Sequence, residues 1–77
     1  MTKKTPFPAC VPDTVDVAAI RKSLGLSQRG FAAQFGFPVT TIRDYEQGRH
    51  APDSSTRAYL RVIEREPDAV IRALSAE

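Results

Sequence analysis

The chain has 77 residues, 42% of them hydrophobic and 26% charged, with a net charge of +2. That size makes one small domain with a modest core, in the composition range of a soluble globular fold. No apolar run approaches the roughly 20 residues of a membrane span, no signal-peptide core follows the N-terminus, and the single Cys10 cannot close an internal disulfide, so a cytoplasmic location is expected.

Residues 1–13 contain Pro6, Pro8 and Pro12, two lysines and no helical periodicity, and read as a flexible, extended arm. A helical domain is expected over 14–77. Its first helix can be capped by Asp16, carries Val17, Ile20 and Leu24 on one face, and is closed by Gly25. Ser27 can cap the second helix, where Phe31, Ala32 and Phe35 recur at the three-to-four spacing of a buried face. Gly36 supplies the permissive backbone at which that helix can stop and reverse. Pro38 suits the start of a third helix, where a missing N–H costs nothing. There Ile42 and Tyr45 point inward and leave Thr40, Thr41, Arg43, Asp44 and Gln47 outside. Asp53 can cap a fourth helix with Thr56, Tyr59, Leu60 and Ile63 on its inner stripe. Pro67 begins a fifth, with Val70, Ile71 and Leu74 on its apolar side. Nothing alternates with period two, so the expected fold is all-α, with five helices.

The charges are unevenly placed. Between Arg21 and His50, five basic residues (Arg21, Lys22, Arg29, Arg43, Arg49) meet only Asp44 and Glu46. From Asp53 onward, four arginines meet five acids. The positive excess thus falls on the segment whose third helix exposes short polar side chains and one arginine, a combination suited to the edges of DNA bases. An enzyme is not expected. The one histidine and one cysteine lie on unrelated segments, and neither a carboxylate pair nor a glycine-rich phosphate loop replaces them. His50 has no ligand cluster at metal spacing, so no metal or cofactor is expected.

The segment LSQRGFAAQFGFPVTTIRDYEQG reads as a helix-turn-helix over about 27–47. With IRKSLGLSQ, FAAQFG, YEQGR and the loop proline Pro52, most of the chain from Asp16 to Leu74 resembles the phage repressor/Cro family of bacterial regulators. Within it, the tail AYLRVIEREPDAVIRAL is similar to HigA-type antitoxins, which partner small ribonuclease toxins and repress their own operons.

The resemblance implies a role for each matching position. Gln28, at the head of the second helix with Arg29 beside it, would meet a DNA phosphate. Val39, Thr40, Arg43 and Asp44 would lie in the major groove, and Thr41, Gln47, Arg49 and His50 against the flanking backbone. Asp44 has a local structural role as its alternative. Arg21 and Glu46 match a structural ion pair. Two positions depart from the family pattern. Gly30 stands where a glutamate commonly completes a capping box, at a cost of roughly 1 kcal/mol to the second helix. Val39 stands where a polar residue often reads a base, which leaves it apolar contact with a thymine methyl. The implied protein is a sequence-specific, nucleoid-associated repressor that binds a double-stranded operator as a homodimer. Val70, Ile71 and Leu74 are the expected dimer contact, with the arm as alternative. Its partner would be a small ribonuclease toxin; the alternatives are a stand-alone repressor and a chiefly toxin-neutralising module.

Overall fold

The structure is a computed structural model, which describes residues 9–75. Five helices follow one another: α1 (Val17–Ser23), α2 (Gln28–Phe35), α3 (Val39–Glu46), α4 (Ser54–Arg65) and α5 (Pro67–Leu74). No strand occurs among the described residues. The expected arm lies mostly outside them, since 1–8 are not described; residues 9–13 carry no helix.

Local chemistry explains each boundary. Asp16, Ser27 and Asp53 accept hydrogen bonds from the backbone N–H groups of Ala19, Gly30 and Thr56, which satisfies donors that have no partner inside the first helical turn. Gly36 ends α2 at φ 82°, a left-handed conformation that a side chain would penalise. Gly30 has a further use. A Cβ there would lie 3.2 Å from the Ser27 Oγ, so the glycine that weakens the helix also leaves space for its cap.

The core is assembled from all five helices: Val17 and Ile20 from α1, Phe31, Ala32 and Phe35 from α2, Ile42 from α3, Leu60 and Ile63 from α4, and Val70 from α5. Phe37, in the turn after α2, stacks on Phe31 at 6.1 Å between ring centroids and meets Tyr45 edge-on at 6.5 Å. Tyr59 of α4 donates its hydroxyl to the Phe35 carbonyl at 2.8 Å, which satisfies an acceptor in the last turn of α2. Burial raises the pKa of that phenol. The α2–turn–α3 unit is thereby set on α4 by one polar bond as well as by packing.

One expectation from the sequence is corrected here. The apolar spacing of α5 offers Val70 to a dimer contact, but it is 7% exposed and belongs to the chain's own core. Ile71 is half-buried against that core, which leaves Leu74, at 55% exposure, as the outward member of the stripe. Spacing identifies an apolar stripe without saying which of its members the domain covers itself.

Candidate nucleic-acid interface

A short polar network fixes α3 relative to the helices before it. Arg21 of α1 donates from Nε to Glu46 Oε2 at 2.7 Å and from Nη2 to Oε1 at 3.0 Å, a two-point grip on the end of α3. Its Nη1 donates to the Leu26 carbonyl at 3.0 Å, just ahead of α2. Gln28, the first residue of α2, donates from Nε2 to Glu46 Oε1 at 3.1 Å. Three helices therefore meet on one carboxylate. The pair is largely sheltered, with side-chain exposures of 14% and 9%. Hydrogen bonding from Arg21, aided by Gln28, outweighs desolvation and holds the Glu46 carboxyl below its ordinary pKa; the same bond raises Arg21. The acid at the end of α3 is thus ionised, matched by a cation and turned away from solvent.

The sequence-read residues fall into three groups. Thr40 and Arg43 on α3 and Gln47 at its C-cap are exposed and share one face, at the three- and four-residue spacing of helical neighbours. Thr41 and Asp44 are half-buried on the flank. Val39 is half-buried and packs against the core, so its side chain is shared between the hydrophobic interior and the surface. Past α3, Arg49 and His50 are exposed in the following loop, and Arg29 is exposed on α2.

The loop reverses at Gly48, where φ is 75°, and the Arg49 N–H donates to the Asp44 carbonyl at 2.9 Å. The Arg49 guanidinium stands 3.8 Å from the Asp44 carboxylate, with side-chain exposures of 71% and 40%. An ion pair that long and that exposed contributes little, so the guanidinium stays available to another anion. Gln28 differs from its expected place. It is engaged with Glu46 inside the protein, and its second amide hydrogen is what remains for an outside acceptor. Sequence reading also passed over Arg57 of α4, whose guanidinium bonds two backbone carbonyls, because a backbone acceptor leaves no mark in the residue pattern.

No group of three metal-ligating side chains occurs among the described residues, and no helix there is long and apolar enough to cross a membrane. The surface instead presents a helix of eight residues, about 12 Å long at 1.5 Å per residue, whose outer face carries hydroxyls, an amide and a guanidinium.

Comparison with known proteins agrees with this geometry. A search of curated proteins finds no match. Among solved structures, the chain is similar to an HTH XRE-family-like protein from Agrobacterium tumefaciens, 42% identical, over 78% of this chain and 97% of that one, with a TM-score of 0.76. The five-helix, helix-turn-helix fold read from the sequence is borne out. Residues 4–72 match the family model described as MqsA, the antitoxin component of a bacterial toxin–antitoxin system. The antitoxin resemblance therefore stands, carried by MqsA where the tail resembled HigA-type proteins, and the chain belongs to the MqsA antitoxin family.

Proposed function

We propose that this chain is a sequence-specific DNA-binding repressor, the antitoxin of a type II toxin–antitoxin pair, which binds an operator as a homodimer and represses its own operon. The observation that carries this reading is the exposed face of Thr40, Arg43 and Gln47 on a helix clamped at its far end by Arg21 and Glu46. A helix in the major groove must present donors at fixed positions, and a two-point ion pair restrains its angle better than packing alone.

Arg43 is the only long side chain on that face able to grip guanine O6 and N7 together, with Thr40 beside it and the exposed edge of Val39 against a thymine methyl. Arg29, Thr41, Gln47, Arg49, His50 and the free amide hydrogen of Gln28 serve the phosphates. Asp44, on the flank of α3 beside Arg49, takes the local structural role and not readout. Repression follows by occupancy of a promoter-overlapping site. Two-fold symmetry, with recognition helices about 34 Å apart, supplies the footprint that one half-site lacks. Leu74 and the accessible edge of Ile71 provide the self-contact. The toxin partner is a small ribonuclease, and the complex works in the cytoplasm at the nucleoid.

The test is binding of the chain to its own promoter region and to random duplex of equal length. Arg43→Ala is expected to weaken operator binding by about 1–3 kcal/mol and random binding much less. Arg49→Ala weakens both alike. Equal losses for Arg43→Ala on the two duplexes would place Arg43 among the phosphate contacts, and a wild-type chain indifferent to both would end the DNA-binding reading.

A further inference from the structure

Arg57 lies on the first turn of α4, and its side chain reaches both the loop just before that helix and a segment 45 residues away. Nε donates to the Pro12 carbonyl and Nη1 to the Pro52 carbonyl, each at 2.8 Å. Pro52 closes the loop that carries Arg49 and His50. Among the described residues, no backbone–backbone hydrogen bond holds His50, Ala51 or Pro52; the last is the one at Arg49. None of residues 48–52 belongs to the hydrophobic core. Val15, Tyr45, His50, Pro52 and Arg57 line a hollow of about 240 Å³ between the loop and the N-terminal segment. A loop over a hollow, with few bonds of its own, takes its position from whatever grips its ends. One end is held by Asp44 and Gly48; the other runs into the Asp53 cap of α4, and there the planar fork of Arg57 adds the side-chain grip on Pro52 itself.

We infer that Arg57 is the positioning residue of the phosphate-contacting loop: by clasping Pro52 to Pro12 it sets where Arg49 and His50 stand relative to α3. This rests on the DNA-binding reading above. A guanidinium with Nε and Nη1 turned onto protein carbonyls acts on DNA through the loop and not by touching it.

The experiment is a cycle in the full chain, read by affinity for random duplex DNA at several salt concentrations and by hydrogen exchange of the free protein. Arg57→Met keeps the stem and removes the donors. It is expected to speed exchange of the Arg49 amide, which is bonded to the Asp44 carbonyl, with α2 and α3 unchanged, and to lower affinity about tenfold. The slope of log affinity on log salt should fall by about 0.9 for each phosphate the loop no longer neutralises. In an Arg49→Ala/His50→Ala background the same substitution should cost almost nothing further. If Arg57→Met does not fold, Arg57→Lys, which keeps the charge and a donor but not the planar fork, takes its place in the cycle. A loss of undiminished size in the double-alanine background, or unchanged exchange of the Arg49 amide, overturns the inference. Wild-type protein that binds DNA while Arg57→Met binds equally well overturns this assignment alone; wild type that ignores DNA removes the functional reading and this assignment together.

Discussion

The half of the molecule built from α1, α2 and α3 is held differently from the half built from α4 and α5. In the first, Arg21, Gln28 and Glu46 join three helices through directional bonds of 2.7–3.1 Å. In the second, no side-chain hydrogen bond joins α4 to α5 among the described residues, and the two are seated by Leu60, Ile63 and Val70. Apolar contacts are non-directional and tolerate small rotations, whereas an arginine fork on a carboxylate does not. The half that presents an outward face of fixed geometry spends its polar side chains on orientation. The other half keeps a surplus of apolar surface, with Val62 at 47% and Leu74 at 55% exposure.

Three substitutions test this contrast, in falling order of their effect on stability. Leu60→Ala empties a site of zero exposure in the apolar half and should destabilise the fold by about 3 kcal/mol. Chemical denaturation should give the same loss at neutral and acid pH, because no titrating group is removed. Glu46→Gln should cost about 2 kcal/mol at neutral pH, because it leaves a sheltered arginine without its counter-charge. That cost should depend on pH. The folded pKa of Glu46 lies below its unfolded value of about 4.3, so the ionised pair stabilises the protein above that pH. The contribution disappears as pH falls through the folded value, and wild type and Glu46→Gln should then converge. Stability curves that stay parallel into acid would show that Glu46 does not stabilise through its charge. Leu74→Glu, the mildest, should shift stability by under about 0.5 kcal/mol while turning dimers into monomers in sedimentation at micromolar concentration. A variant that stayed dimeric would remove α5 from the self-contact, and one that unfolded would put Leu74 in the monomer core.

What the sequence made legible was local. The caps at Asp16, Ser27 and Asp53, the reversal at Gly36 and the start of α5 at Pro67 all depend on chemistry within a few residues of the boundary, and all five helices follow from it. The outer face of α3 was legible for the same reason, since Ile42 fixes which side is buried. Longer-range features were less accessible. Arg21 and Glu46 are 25 positions apart and were matched through family resemblance, not through spacing. Gln28 could be assigned outward because nothing in its neighbourhood in sequence reveals the carboxylate that meets it. Val39 and Val70 sit on the right faces but at depths that depend on packing by other helices. Arg57 was invisible because its partners are carbonyls, which every residue owns.

The Tyr59 bond to Phe35 has an optical consequence. The chain has no tryptophan and two tyrosines, so its intrinsic near-ultraviolet emission comes from two phenols. Tyr45 sits on α3 edge-on to Phe37, and Tyr59 sits on α4 with its hydroxyl on the α2 terminus. One chromophore therefore lies in each half of the molecule. Replacing Tyr45 by phenylalanine leaves a signal that belongs to the docking of α4 onto the turn, free of any label.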